Sequence, residues 1–245
     1  MIGKKFEYVK TSLQHLENQW GQNQPVAEKI TSLLVENVKK GGTLWVAGSG
    51  HSGLFALEMY HRAGGASFVV PVVADFLMPN AGPPVVRILE RTSGIAQTML
   101  NRAAPRKGEM IWIASQSGIN SVSVELALKA KEMGLFVVGF TSRVHSQAVE
   151  SRHPSKKRLF ELCDEVMDFG GYVGDASVEI SDGVKAGPLS NLTAVFMGHS
   201  ILTEACRQLE NSGTRCIYTS VNTPEGERRN VELERIAAER DPLLR

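Results

Sequence analysis

Two stretches of the 245-residue chain share one design, and that design limits the folds open to it. Thr43-Leu44-Trp45-Val46-Ala47 runs into Gly48-Ser49-Gly50-His51-Ser52, and Met110-Ile111-Trp112-Ile113-Ala114 runs into Ser115-Gln116-Ser117-Gly118-Ile119-Asn120-Ser121. Each largely apolar run reads as a buried parallel strand. Each then enters a Gly/Ser loop, and a helix-like segment follows. A strand–loop–helix of this kind aims backbone N–H groups and a helix N-terminus at one point outside the sheet. Two such loops side by side would cup a dianionic phosphate, with serine hydroxyls as neutral donors and no need of Lys or Arg. A dinucleotide fingerprint is absent, because no acidic residue stands suitably about 20 residues beyond Gly48 to hold a ribose. A P-loop is absent too, since no Gly-Lys-Ser/Thr occurs.

Composition bounds the partners. A formal net charge of +1 gives no electrostatic footprint for nucleic acid. No apolar run is long enough for a transmembrane helix, and Phe6 to Trp20 is too polar for a signal-peptide core. Cys163, Cys206 and Cys216 are odd in number and widely spaced, which suggests reduced thiols in a cytoplasmic protein rather than disulfides or a zinc site. No cofactor is implied.

Along the chain, Phe6, Val9, Leu13, Leu16 and Trp20 recur at helical spacing. Pro25 suits the first turn of a second helix carrying Val26, Ile30, Leu33, Leu34 and Val38, closed by Gly41-Gly42. Residues 1–40 therefore read as a helical extension ahead of one α/β domain over 41–245. These helices are expected to cover the sheet or a partner subunit. Pro71 interrupts strand material on either side, and 79–84 reads as a loop. Helices are expected over 53–62 and 91–102, with Gly94 a weak spot in the latter. Strand 110–114, helix 120–133 and strand 135–140 form the clearest βαβ unit. Segment 143–158 reads as a loop or broken helix, 165–168 as an edge strand, and 170–187, with five glycines, as an irregular excursion. A buried helix over 189–209 and a charged one over 231–240 complete the chain.

The second loop, its helix ending Ala130-Lys131-Glu132-Met133-Gly134 and the strand Leu135 to Phe140 followed by Thr141-Ser142 resemble the sugar isomerase (SIS) domain family. The likeness spans roughly 43–142 together with the long helix near 189–209. It implies a doubly wound five-stranded parallel sheet flanked by helices, and a phosphorylated sugar as ligand. It also implies a homodimer or higher homo-oligomer, because such domains place their sites between subunits. Carried over by position, the phosphate contacts are Ser52, Ser115, Gln116 and Ser117. Asn120 stands where the family has Ser or Thr, and Ser121 follows it. Ser49, His51 and Lys185 are possible substrate contacts. The chain looks most like small stand-alone members of the family.

The chemistry is read from carboxylates and histidines. An aldose–ketose isomerisation through an enediol needs a base that moves a proton between adjacent carbons. Glu58 lies six residues past Ser52, about 9 Å along a helix. Its competing reading is an i,i+4 salt bridge with Arg62. His199 is the histidine candidate of the late helix, weighed against a satisfied core histidine. Metal-dependent phosphoheptose isomerases carry His and Glu where this chain has Glu58 and Arg62, so no metal is expected. Etherases of the family use a Glu at the place of Arg62, which argues against their mechanism. Glu90 and Asp75 stay unassigned. The leading reading is a phosphosugar isomerase. The alternatives are a non-catalytic phosphosugar sensor and a structural oligomer.

Overall fold

The computed structural model describes residues 5–244. Five parallel strands form the sheet: β1 (Leu44–Gly48), β2 (Val69–Val72), β3 (Met110–Ala114), β4 (Phe136–Thr141) and β5 (Glu165–Asp168), in the order β2-β1-β3-β4-β5. Leu44 pairs with Val69 on one side and with Met110 on the other, so β1 and β3 run side by side over their full lengths.

Side chains alternate across the pleat and feed two cores. Leu44, Val46 and Trp112 meet α1 (Glu7–Lys39), α2 (His51–Met59) and α8 (Ser190–Asn211). Trp45, Ala47, Ile111 and Ile113 meet α4 (Ile95–Ala103), α5 (Ser121–Glu132) and the short α7 (Leu159–Leu162). Between β2 and α4 the chain forms α3 (Pro83–Leu89), and after β4 it forms α6 (Arg143–Gln147). A last helix, α9, spans Pro224–Ala237. No helix among the described residues is long and apolar enough to cross a membrane.

Four expectations need correction. The two N-terminal helices are one helix of 33 residues with Pro25 inside it. Pro25 removes the hydrogen bond to the carbonyl of Gly21. Both residues lie on the exposed side, where the freed carbonyl is open to solvent. Below them Asn23 fastens the helix to β5: its Nδ2 donates to Asp168 O at 3.0 Å and its Oδ1 accepts from Asp168 N at 2.8 Å. Ile30 and Leu34 are fully buried under the sheet, each stabilising by about 1.5–3 kcal/mol.

The excursion over 170–187 is instead an antiparallel hairpin, β6 (Ala176–Ser181) with β7 (Val184–Pro188), turned at Asp182-Gly183. It lies beside the start of α1, where the Tyr8 hydroxyl donates to Pro188 O at 2.6 Å. Residues 83–89, part of which read as loop, form α3, because two prolines at a helix start cost no hydrogen bond. Pro71 lies within β2, tolerated because β2 is an edge strand.

At the amino ends of the strands Glu109 is buried and fully engaged. Its carboxylate accepts from Thr43 N at 3.1 Å, the Trp45 indole at 2.7 Å, Arg106 N at 2.7 Å and the Arg240 guanidinium at 3.0 Å. Its carbonyl accepts from Phe136 N at 2.9 Å. Cys206 and Cys216 are both buried.

Candidate functional site

The strand order reverses direction between β1 and β3. After β1 the chain enters α2 on one face, and after β3 it enters α5 on the other. The two loops therefore part at the carboxyl ends of adjacent strands and leave a crevice, the usual ligand position in open α/β sheets.

Local chemistry fixes each loop. Gly48 lets β1 run straight against α2: a Cβ there would sit 2.3 Å from Ser52 O. Gly50 N donates to Leu77 O at 2.7 Å and pins the first loop. In the second loop Gly118 has φ +60°, and its N–H donates to Ser115 Oγ at 3.1 Å. That leaves the Ser115 hydroxyl proton for an acceptor in the crevice. Gln116 Oε1 is buried with no partner among the described residues.

The crevice has a volume of about 580 Å³ and brings Ser49, His51, Ser52, Ser115, Gln116, Ser117 and Asn120 into one lining. Its other walls come from residues the loops do not announce. Arg87, Glu90 and Arg91 arrive from α3 and the turn after it, and Asp175, Ser190 and Asn191 from the start of α8 and the chain before it. The arginines are exposed at the rim, so the cradle has cationic help that its loops alone did not suggest. The Asp175 carboxylate caps α8, accepting from Leu189 N at 3.0 Å, Ser190 N at 2.8 Å and the Ser190 hydroxyl at 2.7 Å.

Four expected site residues lie elsewhere. Ser121 is buried, and its hydroxyl donates to Arg91 O at 2.9 Å, so it holds backbone rather than phosphate. Lys185 is exposed on β7, its ammonium over the Tyr172 ring at 5.4 Å. Glu58 and His199 meet each other, Oε1 to Nε2 at 3.3 Å, where α2 crosses α8, outside the crevice lining. Burial and the nearby Arg62 charge push the His199 imidazole below its ordinary value. Arg62 also forms the i,i+4 ion pair with Glu58. A permanent guanidinium on that carboxylate leaves no fit for a divalent cation there.

Asn120 lines the crevice with both polar side-chain atoms committed. Its Oδ1 accepts from Arg152 Nη1 at 2.8 Å, and its Nδ2 donates to Glu90 Oε1 at 2.8 Å. Burial pushes the Glu90 carboxyl above the ordinary carboxylate value, against the pull of Arg91, Arg152, Asn120 and Arg87. Asn120, like Ser121, thus serves the α3 segment, a role no local signal in the loop would have revealed.

Comparison with known proteins agrees with this geometry. The SIS domain family matches residues 6–142. A UPF0309 protein of Shouchella clausii is 33% identical over 227 residues, which span 91% of this chain and 92% of that protein. A phosphoheptose isomerase from Francisella tularensis superposes with a TM-score of 0.51 at 12% identity, over 82% of this chain and 95% of its own. The Escherichia coli CFT073 protein c3406, solved in complex with a sugar phosphate, gives 0.51 at 14% identity, over 83% and 88%. At such identities the likeness to solved structures is one of fold. The family match covers more than half the chain and takes in both serine loops. On that match, with the sheet order and the crevice it creates, the chain belongs to the SIS domain family.

Proposed function

We propose that the protein binds a phosphorylated sugar in the crevice between its two serine loops and interconverts aldose and ketose forms through an enediol. One observation carries the reading: Ser49, Ser52, Ser115 and Ser117 converge on a single crevice at the switch point of the sheet, beside the first turn of α2. Hydroxyl donors to a charged oxygen contribute roughly 1.5–3 kcal/mol each. Arg87 and Arg91 at the rim add long-range attraction for a dianion. The phosphoheptose isomerase and the sugar-phosphate complex among proteins of the same fold support the substrate class. The Glu58–His199 pair enters the reading as an acid–base candidate outside the lining.

The reading extends to assembly. Phe6, Val9 and Leu13 of the α1 segment are exposed, and Trp20 stands edge-on to Phe196 of α8 at 5.9 Å, with Leu192 exposed nearby in sequence. This apolar face supports contact with a second copy of the chain. Light scattering at micromolar concentration should give at least a dimer, and Leu13→Glu should shift it toward monomer.

A thermal-shift panel tests the ligand. Each sugar phosphate is set beside its parent sugar, with inorganic phosphate as control. At 100 times its dissociation constant a ligand stabilises by about 2.7 kcal/mol, a rise of several degrees for a chain of this size. A rise with one sugar phosphate and none with its parent sugar is expected. No rise across aldose and ketose phosphates of five to seven carbons would overturn the reading.

A further inference from the structure

Of the two carboxylates in the crevice lining, one is already spent. Both oxygens of Asp175 accept hydrogen bonds from the start of α8. Glu90 is held differently. Its carbonyl accepts from Val122 N at 3.1 Å, and the next carbonyl, of Arg91, accepts from the Ser121 hydroxyl. Its Oε1 accepts from Asn120 Nδ2. The direction of that amide is fixed from behind: Arg152 can only donate, so the Asn120 oxygen faces Arg152 and its NH₂ faces Glu90. The other oxygen, Oε2, points across to the first loop, where a Cβ placed on Gly50 would lie 3.8 Å away. A carboxylate is thus clamped by one oxygen to the second serine loop and presents the other to the first.

We propose that Glu90 is the catalytic acid–base residue of the crevice, moving the proton between the two carbons of the isomerising sugar through Oε2, with Asn120 as its positioning residue. The inference rests on the isomerase reading above. The step balances without an oxidant. The aldose C2 proton passes to Glu90, and the C–H electron pair becomes the C1=C2 bond of the enediol as the carbonyl oxygen on C1 takes a proton from solvent. On collapse the hydroxyl on C2 releases its proton to solvent, the C2 carbonyl forms, and C1 takes the proton held by Glu90. The upward push on the Glu90 carboxyl from burial suits a group that must hold a proton between these steps. The neutral amide of Asn120 steadies the carboxylate without neutralising it.

The test is hydrogen exchange into sugar phosphates in D2O, read by proton NMR at C1 and C2 beside the thermal shift given by the same compound. Wild-type protein should exchange the proton of at least one panel member. Glu90→Gln should slow that exchange by about 100-fold or more, with the thermal shift retained. Glu90→Asp keeps the charge and the fold but withdraws the carboxylate by one methylene, and should recover part of the rate. Asn120→Ala should lower kcat about tenfold with little change in KM. Exchange by Glu90→Gln within threefold of wild type would overturn the assignment and leave the isomerase reading standing. Wild-type protein that binds sugar phosphates yet exchanges none of them would overturn both.

Discussion

Glu58 and Glu90 are two carboxylates with opposite surroundings. Glu58 follows directly from the first serine loop along α2, and its Oε1 is engaged by both Arg62 and His199. Glu90 follows from neither loop, yet it lines the crevice, and its Oε1 accepts from the neutral amide of Asn120 while Arg91, Arg152 and Arg87 act on it through space. Spacing along a helix gives a residue's distance from a loop but not its bearing. The six-residue step from Ser52 carries Glu58 to the α8 side of α2 rather than into the crevice. A carboxylate already held by a guanidinium is a poor proton carrier, whereas one held by an amide keeps a lone pair for its task.

The sharpest way to break this comparison is to neutralise each carboxylate in turn. Glu90→Gln should cost at least about tenfold more turnover than Glu58→Gln. The reverse order in kcat would return the chemistry to the Glu58–His199 pair. A second test is the cradle that both carboxylates would serve. The double variant Ser115→Ala, Ser117→Ala should lose about 3–6 kcal/mol of phosphate binding. Calorimetry with the active sugar phosphate would show affinity falling at least 100-fold, and an unchanged affinity would remove the crevice from the argument.

A smaller effect tests the seat of Glu58. Gly198 lets α8 lie close on α2: a Cβ there would sit 2.7 Å from Phe55 Cε2 and 2.9 Å from Met59 Sδ. Gly198→Ala should cost about 1–3 kcal/mol by overpacking, lowering Tm by a few degrees while sugar-phosphate binding persists.

The smallest effect is on pH. His15, His145 and His199 are all pushed below the ordinary value of 6.5, chiefly by burial, with Asp175 opposing this at the first two and Arg62 adding to it at the third. Their neutral forms are favoured in the fold. That stability is present above pH 6.5 and is lost as pH falls through the lowered values. Tm should decline from pH 6.5 downward, and less steeply in His15→Gln. A Tm flat down to pH 5 would contradict the sign.

Much of the sheet was legible in the chain itself. The runs at 44–48 and 110–114 are apolar on both faces because both faces are buried, and a Gly/Ser loop marks where each strand ends. The unit over 110–141 follows from the same signal. The hairpin was missed because its strands are mostly exposed and carry no apolar run, although Asp182-Gly183 is a turn dipeptide. The unbroken α1 was missed because Pro25 ordinarily ends a helix, and only its exposed position opposite the Asn23 clamp makes it tolerable. The serine loops were legible as a cradle, since residue types at consecutive positions suffice for that. Glu90 could be seen in the chain but not placed. Its position depends on Val122, Ser121 and Asn120, about 30 residues away, and no local pattern encodes a contact of that range.

The Glu109 knot lies at the amino ends of the strands whose carboxyl ends carry the serine loops. It fixes β1, β3 and β4 relative to one another from below before any ligand arrives. The conformational entropy of aligning the two loops is therefore spent when the chain folds, and little of it remains to be charged against recognition. A site seated in this way should bind with small reorganisation, fast and with a modest entropic penalty. Weakening Arg240, far from any sugar, should raise that penalty without touching a single contact in the crevice.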